Sequence, residues 1–490
     1  MDMSRNAKLL GPVFILVLGF PLTLGAQITF ERTYGGIKDD RGYSVRQTSD
    51  GGYIITGWTE SFGAGERNLY LIKTDAYGDT IWTSTYNYAD HGEGYSVQQT
   101  SDGGYVAAGT SDGGDVYLLK TDANGDTLWS RNYNSGRTAA MGENYDEGHC
   151  VQQTSDGGYI IVGSAWSWGS YVYLLKIDAN GDTLWTHTYG GESIDVGWSV
   201  QQTLDGGYIV AGETYSFGSG EGDVYLIKTD ANGDTIWTRT YGGPDHDAGH
   251  CVQQTTDGGY IVTGITYSFG GAYLLKTDAN GDTLWTRTYE GSTTGRSVQQ
   301  TLDGGYIIAG GCSGAGWSDV YLLKTDANGN VLWSRTYGGR DWDLAYSVQQ
   351  TSDGGYVIGG WTHSFGSGDV YLIKTDSNGL TSVEEKRPIS IPDDFHLTQN
   401  FPNPFNSSTT VVYSIPKATN VELSIYDICS RLIRSLVRGK ASAGTYSVRW
   451  DGKDNSGKEV GSGVYLYRLR AGQGKGQGDF VRVRKMVLVR

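Results

Sequence analysis

Long hydrophobic segments are missing from this sequence beyond its first 26 residues. The one sustained apolar run, from Leu9 to Leu24, is short for a membrane-spanning helix and is interrupted by glycine and proline. Arg5 and Lys8 precede it and a Leu-Gly-Ala sequence at 24–26 follows, a pattern typical of a signal peptide. We therefore expect residues 1–26 to be a Sec signal peptide, the protein to cross the periplasm to the bacterial surface or medium, and no stable membrane span.

Cysteine is rare as well, with four residues whose places argue against disulfides. Cys150 and Cys251 occupy a repeat position that is serine in the other copies, and they stand in non-adjacent repeats. Cys312 falls in a loop and Cys429 in the C-terminal part. Four unpaired small residues are expected rather than two bridges.

Positive charge is in short supply, with 38 Lys and Arg against 54 Asp and Glu. The segment 395–490 holds 15 of the basic and 6 of the acidic residues, which leaves 23 and 48 to residues 1–394. Because so acidic a body repels phosphate backbones, the composition predicts no nucleic-acid partner.

Proline is scarce at 8 residues, whereas glycine reaches 75 and tyrosine 35. Glycine disfavours helices by about 1 kcal/mol against alanine at each position, and aromatic residues favour strands. Tight turns that join short aromatic strands therefore predict an all-β fold.

The tetrapeptide Asp-Gly-Gly-Tyr recurs seven times, which indicates propeller blades or a solenoid. Each unit is predicted to hold four strands, as in the copy at 199–203, 206–212, 223–229 and 234–241. The second and third strands are almost continuously apolar, as expected where both faces of a sheet are buried. The copies begin at Asp50, Asp102, Asp156, Asp205, Asp257, Asp303 and Asp353.

The two ends of the repeat region favour a ring over an open solenoid. The seventh unit stops at Leu380 without a fourth strand, and a strand of that type stands at Phe30–Tyr34, with Phe30 in the place of tryptophan. An open solenoid has no use for this offset, whereas a ring uses it to remove exposed strand edges. We predict a seven-bladed β-propeller over 27–380, with Phe30–Tyr34 paired to Asp369–Thr375.

An Asp-x-Asn-Gly-Asp turn joins the third and fourth strands, as at 122–126, and a tryptophan such as Trp129 follows in six units. This turn and fourth strand resemble those of pyrroloquinoline-quinone propellers and their cofactor-free relatives, although the interval here is one residue shorter. The resemblance implies the architecture and no cofactor. The oxygen-rich turn could hold calcium, but it also suits a tight hairpin that needs no metal.

The loops between second and third strands, and between fourth and first strands, lie on one face and vary among the copies. Variable loops on a rigid scaffold commonly carry binding residues, so we expect a glycan or protein ligand there. Tryptophans on that face could stack on sugar rings. They are Trp58, Trp166, Trp168, Trp198, Trp317, Trp342 and Trp361.

Two further chemistries are possible on this variable face. Asp245, His246, Asp247 and His250 form a weak metal-like grouping, although the His-x-x-x-His spacing suits a helix better than a glycine-containing loop. Acidic loop residues could include a carboxylate pair that cleaves glycosidic bonds, or they could be a solvated rim. These acidic residues are Asp39, Asp40, Asp195, Asp341 and Asp343.

After a polar linker at 381–394, residues 395–490 show short alternating strands typical of a small β-sandwich. Their motifs, from Asn-Phe-Pro-Asn-Pro-Phe-Asn at 400–406 to Ser-Gly-Val-Tyr at 462–465, resemble the C-terminal sorting domain of type IX secretion substrates, which is similar to the Ig-like module of flagellar hook-capping proteins. Cys429-Ser430 departs from the usual glycine before Arg431. The motif residues are Asn403, Pro404, Asp427, Trp450, Asp451, Gly452, Tyr465 and Lys485.

The sorting-domain resemblance implies that residues 395–490 engage the type IX secretion machinery, although a purely structural Ig-like module is the alternative. We expect a secreted or surface-displayed binding protein without catalysis of its own. The alternative is a secreted glycoside hydrolase or lyase with carboxylates on the variable face. No catalytic or cofactor-binding residue is predicted.

Overall fold

A computed structural model shows an all-β chain with no helix among the residues that it describes. These are residues 27–64, 66–86, 92–111, 113–136, 145–166, 169–289, 293–313, 318–381, 395–400, 403, 405, 409–441, 444–472 and 480–489. The chain divides into two compact units, Met1–Val383 and Glu384–Arg490. The predicted signal peptide, the linker beyond Thr381, Trp168, Trp317 and Pro404 lie outside the described residues. In the part that is described, no helix is long and apolar enough to cross a membrane.

The first unit consists of four-stranded antiparallel sheets, and seven of them lie within the described residues. The first three sheets contain β2 to β13, which follow the first strand in the chain. The strands are β1 (Phe30–Tyr34), β2 (Asp40–Gln47), β3 (Tyr53–Thr59), β4 (Asn68–Thr74), β5 (Thr80–Tyr86), β6 (Gly92–Gln99), β7 (Tyr105–Ser111), β8 (Val116–Thr121), β9 (Thr127–Tyr133), β10 (Tyr145–Gln153), β11 (Tyr159–Trp166), β12 (Ser170–Ile177) and β13 (Thr183–Tyr189).

The next three sheets contain β14 to β25, and the last contains β26 to β28 with β1 at its outer edge. These strands are β14 (Asp195–Gln202), β15 (Tyr208–Thr214), β16 (Asp223–Thr229), β17 (Thr235–Tyr241), β18 (Asp247–Gln254), β19 (Tyr260–Thr266), β20 (Gly271–Thr277), β21 (Thr283–Tyr289), β22 (Thr293–Gln300), β23 (Tyr306–Ser313), β24 (Ser318–Thr325), β25 (Val331–Tyr337), β26 (Asp343–Gln350), β27 (Tyr356–Thr362) and β28 (Asp369–Thr375).

The first strand completes the last sheet, as the offset of the repeats predicts. β1 pairs antiparallel with β28, from Phe30 opposite Lys374 to Tyr34 opposite Val370. β2 of the first sheet in turn packs on β27 of the last, so the sheets meet as the blades of a propeller. The all-β prediction of a propeller followed by an Ig-like sandwich is confirmed.

Aromatic side chains of each outer strand dock on the next blade. The tryptophans meet a tyrosine of the neighbouring second strand edge-to-face, as Trp82 meets Tyr105 at 5.8 Å between ring centroids. Phe30 takes the same position against Tyr53, at 6.0 Å and 69°. The Tyr34 hydroxyl donates to the Gly78 carbonyl oxygen at 2.6 Å. The corresponding tyrosine makes the same bond at each of the six remaining junctions. Phe30 thus serves in the place of tryptophan.

The repeated Asp-Gly-Gly-Tyr aspartate is structural. In every blade a lysine from the third strand turns back to it, as Lys73 Nζ does to Asp50 at 2.8 Å. The lysine side chain is buried, and its ammonium group also donates to the following threonine carbonyl oxygen. The aspartate of the repeat motif therefore fixes its turn by binding this lysine.

The second unit contains two sheets, with strand orders β29-β30-β33 and β32-β31-β34-β35. Trp450, Tyr467, Val411 and Leu423 are among the residues of the apolar core between them. The strands are β29 (His396–Leu397), β30 (Thr409–Ile415), β31 (Thr419–Asp427), β32 (Leu432–Ala441), β33 (Gly444–Trp450), β34 (Gly463–Gly472) and β35 (Phe480–Leu488).

Candidate functional site

Every innermost strand of the propeller carries a β-bulge at the same place. In β2 the pairing with β3 skips from Gly42 to Ser44, so Tyr43 is an extra residue without a partner. A bulge re-aims the extra side chain, and the same skip occurs in all seven blades. We call these seven residues the collar. They are Tyr43, Tyr95, His149, Trp198, His250, Arg296 and Tyr346.

The sequence around the collar is nearly constant while the collar itself varies. Six copies read Gly-x-Ser/Cys-Val-Gln/Arg-Gln-Thr, and the seventh has Ala345 in place of the glycine. In the first blade the glycine leaves room for its neighbour, because a Cβ on Gly42 would lie 2.7 Å from the Gly360 carbonyl oxygen of the last blade. Among the collar residues, the sequence predictions name Trp198 as a ligand-binding candidate and His250 as a weak metal candidate. A comparison of the repeat copies column by column would identify the other five.

Collar side chains touch one another around the channel mouth. Tyr43 meets Tyr346 and Tyr95 edge-to-face, with ring centroids 5.0 and 5.4 Å apart. His149 stacks on Trp198 at 4.3 Å, and the Arg296 guanidinium carbon lies 5.4 Å from the Tyr346 ring centroid. The collar is thus a nearly continuous ring of aromatic faces with one cation.

A cavity of about 290 Å³ opens within the collar and is lined by all seven of its residues together with Glu147. A second cavity of about 270 Å³ adjoins it, because Tyr95 and Glu147 line both. Glu93 lies in the second cavity, where it binds Arg67 Nη1 at 2.5 Å and accepts a 2.9 Å hydrogen bond from the Tyr95 hydroxyl.

The two collar histidines present different chemistry. His250 Nδ1 lies 2.8 Å from the Gly295 carbonyl oxygen, which can only accept, so Nδ1 carries the proton. Burial, and after it the Arg296 charge, lower the pKa of His250 to about 3, so its Nε2 is a hydrogen-bond acceptor. His149 binds the Gly197 carbonyl oxygen through Nδ1 at 2.8 Å and Glu147 through Nε2 at 3.1 Å.

The other predicted tryptophans occupy different environments. Trp58 and Trp361 are buried, and the Arg41 guanidinium lies 5.4 Å from the Trp58 ring centroid and 4.5 Å from that of Trp361. Their ring faces are covered, so they build the wall behind the collar. Trp342 is 42% exposed and Trp166 is 36% exposed, and both are open to solvent outside the collar.

The metal-like grouping does not converge on one point. His246 Nε2 lies 2.8 Å from Glu213, His250 belongs to the collar, and Asp247 Oδ2 accepts a 2.7 Å hydrogen bond from the Gly243 amide. Asp245 donates from its backbone to Ser268 Oγ. Within the described ranges, no group of three or more His, Cys, Asp or Glu side chains is arranged to hold a metal ion.

Three of the acidic residues named above as candidates for sugar chemistry are buried at strand starts. Asp40, Asp195 and Asp343 each accept a hydrogen bond from a threonine hydroxyl of the adjacent strand. Burial raises the pKa of Asp40 although Thr59 and Ser61 donate to it. These carboxylates hold loops in place and do not face the collar cavity. Asp39 and Asp341 remain at the surface.

The Asp-x-Asn-Gly-Asp turn uses its first carboxylate internally. Asp122 Oδ1 accepts from the Asn124 and Asp126 amides at 2.8 and 2.9 Å, and Gly125 has φ +86°. A positive φ favours glycine, as tight hairpins require. The turn therefore has the hydrogen bonds of a hairpin.

The face opposite the variable loops carries the nearly constant first-to-second and third-to-fourth loops, and we call it the invariant face. Between the collar and this face, glutamine side chains link neighbouring blades by hydrogen bonds, an arrangement that we call the glutamine lacing. The side-chain oxygens of six of them accept from the backbone amide of the next blade, as Gln98 does from Gln153 at 2.8 Å. Arg46 stands at the seventh position, where it donates to Ser347 Oγ at 3.1 Å. This lower part of the channel has a volume of about 220 Å³.

The sorting-motif residues of the second unit serve mainly its fold. Trp450 is buried against Phe405 and Tyr465, with ring centroids 5.5 and 5.3 Å away. Asp427 Oδ1 accepts from the Cys429 and Arg431 amides, and Asn403 Oδ1 accepts from the Val487 amide at 2.8 Å.

Three further motif residues complete turns or lie at the surface. Asp451 Oδ1 accepts from the Lys453 amide at 3.2 Å, and Gly452 has φ +67°. The Lys485 side chain is exposed on β35. Asp451 and Lys485 are both exposed to solvent.

The described cysteines carry no disulfide. Cys150, Cys251, Cys312 and Cys429 are all free. Burial raises the pKa of the Cys150 and Cys251 thiols, and each thiol donates to a valine carbonyl oxygen of the next blade.

Comparison with known families gives two matches. A family described as outer membrane protein assembly factor BamB matches residues 69–335, and the FlgD Ig-like domain matches residues 406–475. A search of curated protein sequences finds no match.

Several solved structures are similar in fold. PorZ, described as an essential bacterial surface component of the type-IX secretion system of Porphyromonas gingivalis, is 13% identical with a TM-score of 0.43. That match covers 93% of this chain and 60% of PorZ, so this chain spans about 60% of the length of that protein. A puromycin hydrolase mutant is 14% identical over 77% of this chain and 59% of its own, with a TM-score of 0.48. The Pan2 WD40 domain of Neurospora crassa is 11% identical over 73% and 98%, with a TM-score of 0.45.

Proposed function

This chain belongs to the family of the outer membrane protein assembly factor BamB, and we propose that it is a non-catalytic binding protein of the bacterial cell surface or secreted fraction. Its ligand binds in the collar. The observation that carries this proposal is the β-bulge repeated in each first strand, which directs the one variable side chain of an otherwise nearly constant strand segment into a common cavity. Uniform positions serve the scaffold, and positions that differ from blade to blade suit recognition.

The loops around the collar mouth support the same proposal. Aromatic side chains of the second-to-third loops are exposed on this face, among them Tyr215, Phe217, Tyr267, Phe269 and Phe365, which are 41–63% exposed. Exposed aromatic groups of this kind are frequent at interaction sites, because their faces are apolar while tyrosine keeps a polar tip. A ligand larger than the cavity would contact them.

For the second unit we propose the role of a type IX sorting domain that engages the secretion machinery. The ordered motifs and the match to the FlgD Ig-like domain support it. Deleting residues 395–490 in the native host should leave the protein in the periplasm, and fusing this segment behind a signal peptide and reporter should carry the reporter out. A reporter that stays in the periplasm would contradict the sorting role.

The binding proposal is tested by incubating the purified protein with a panel of polysaccharides and surface proteins, scoring bound ligand and reaction product separately. We expect saturable binding without product. Product formation would overturn the non-catalytic part, and an absence of binding across the panel would count against the collar as a glycan or protein site.

A second candidate, a glycoside hydrolase or lyase, is favoured by one observation: Glu93 and Glu147 line the same 270 Å³ cavity. Each is already bound by another side chain, Glu93 by Arg67 Nη1 at 2.5 Å and Glu147 by His149 Nε2 at 3.1 Å, so neither carboxylate is free to reach a substrate without leaving its partner. If the panel yields product, Glu93→Gln and Glu147→Gln should each abolish it while binding remains.

A further inference from the structure

Arg296 is the one guanidinium in the collar, and it has no carboxylate within ion-pair distance among the described residues. The neighbouring arginines differ, because Arg67 binds Glu60 and Glu93, and Arg41 lies 3.8 Å from Asp39. The Arg296 guanidinium carbon lies 5.4 Å from the Tyr346 ring centroid. A half-buried guanidinium with free donors is suited to a planar carboxylate, which it binds through two parallel hydrogen bonds.

The two blades before Arg296 supply complementary polar groups. His250 Nε2 is an acceptor without a partner in the described part of the chain, since only Nδ1 is engaged. Trp198 Nε1 is shielded from solvent and likewise lacks an acceptor among the described residues. A buried N–H group without a hydrogen bond costs free energy, and a ligand oxygen that accepts from it removes this cost. Three consecutive blades thus offer a donor, an acceptor and a cation.

The opposite side of the cavity is mainly aromatic, and the Glu147 carboxylate that also lines it is bound to His149 Nε2 at 3.1 Å. Tyr346, Tyr43 and Tyr95 meet edge-to-face, and the stacked His149 and Trp198 rings complete the wall. Aromatic rings bind the apolar face of a pyranose. Small-molecule sites span about 300–1,000 Å³, and the collar cavity, at about 290 Å³, is near the lower limit of that range. A cavity of this size holds the end group of a glycan rather than a longer part of its chain.

We propose that the collar binds the carboxylate-bearing end residue of a glycan, a uronic-acid-type sugar. Arg296 takes the carboxylate, His250 Nε2 accepts from a ring hydroxyl, and the aromatic wall covers the sugar face. This inference rests on the proposed binding function and specifies its ligand. A peptide carboxyl terminus shares the charge but has no hydroxyl for His250 and no pyranose face, so the sugar fits more of the site.

The charge of the body limits the ligand further. Residues 1–394 carry 48 acidic against 23 basic residues, so a polyanion is repelled at long range. A single terminal carboxylate next to Arg296 avoids most of that repulsion, because physiological salt screens charges beyond about 8 Å.

The test is calorimetric titration of the full protein with an otherwise neutral oligosaccharide that ends in glucuronic acid and with the same oligosaccharide ending in glucose. We expect the acidic form to bind at least tenfold more tightly, as one charge-assisted pair would give. Arg296→Gln should abolish this preference and keep weak binding of both. Arg46→Gln removes a guanidinium from the lower part of the channel, outside the collar cavity, and should leave the preference intact.

Equal affinity for the two sugars, or loss of the preference in Arg46→Gln alone, would overturn the uronic-acid assignment. If an N-acetylated peptide acid binds in an Arg296-dependent manner and neither sugar does, the assignment is wrong while collar binding stands. If no ligand in the panel or this series binds, the proposed function itself fails. Melting temperatures of the two variants close to wild type establish that each is folded.

Discussion

The Tyr34 hydroxyl donates a 2.6 Å hydrogen bond to the Gly78 carbonyl oxygen, and this bond joins the last blade to the first. Tyr34 belongs to β1, which lies at the outer edge of the seventh sheet, and Gly78 lies in the hairpin of the first. The other six junctions have the same tyrosine-to-glycine bond, so the junction made by the N-terminal strand is built like the rest.

The ring junction should therefore be as sensitive to truncation as a core. Phe30 is buried against Tyr53, and Phe30→Ala should lower the free energy of unfolding by about 3–5 kcal/mol. Tyr34→Phe removes only the hydroxyl bond and should cost about 1 kcal/mol. Urea unfolding measures both. The exposed Ile37→Ala is the matched control, and an effect of Phe30→Ala no larger than the control would contradict ring closure by β1.

The glutamine lacing is interrupted at Arg46, which cannot accept a hydrogen bond from the next blade. Gln99 occupies the position whose amide is bound in the six other blades, and no described group accepts from it. Arg46→Gln supplies the missing acceptor and should raise the free energy of unfolding by about 1 kcal/mol. Gln98→Ala, which removes the acceptor for Gln153, should lower it by a similar amount. An Arg46→Gln variant less stable than wild type would show that the guanidinium contributes more than the lacing.

A pH effect is expected where the last blade meets the first. Burial, followed by the charges of Asp40 and Asp39, raises the pKa of Asp369 to about 6, and its Oδ1 has no partner in the described structure. The folded state then keeps a proton that the unfolded chain releases near pH 3.8. Protonation of Asp369 stabilises the folded state fully below pH 3.8, and this stabilisation is lost as the pH rises through about 6.

Asp369→Asn removes this titration. The variant should be stabilised relative to wild type at pH 7.5 by up to the order of 3 kcal/mol, the equivalent of the pKa difference. The gain should shrink toward pH 4. Unfolding curves at both pH values measure it, and a gain independent of pH would refute the coupling.

In the second unit, Ser430 is the one described non-glycine residue with positive φ, at +63°. It stands where the resembled family has glycine, in the turn whose amides bind Asp427. Left-handed backbone costs a non-glycine residue about 1–2 kcal/mol. Ser430→Gly should therefore stabilise this unit by about 1 kcal/mol or less, after the added entropy of the unfolded chain, while Ser430→Ala should not. Equal melting temperatures for the two variants would contradict this account.

The repeats made the fold predictable, and the collar was hidden by a local irregularity. Seven copies of one motif and the displaced Phe30–Tyr34 strand lead directly to the sheets and to the pairing with β28. A bulge has no period of its own, so strand alternation does not reveal that Tyr43 is aimed differently from its neighbours. The sequence did not distinguish Trp58 from Trp198, because both are tryptophans predicted on the variable face. In the structure Trp58 is buried beneath Arg41, whereas Trp198 lies in the collar.

The measurement that tests the account most directly is the affinity of the ligand found in the binding panel for two variants on opposite faces. Trp198→Ala removes the collar platform, and Leu302→Ser changes a side chain that is 90% exposed in a loop on the invariant face. We predict a loss of tenfold or more for Trp198→Ala, as for a central aromatic anchor, and an unchanged affinity for Leu302→Ser. Wild-type affinity in a folded Trp198→Ala variant, or a loss confined to Leu302→Ser, would show that the ligand binds elsewhere.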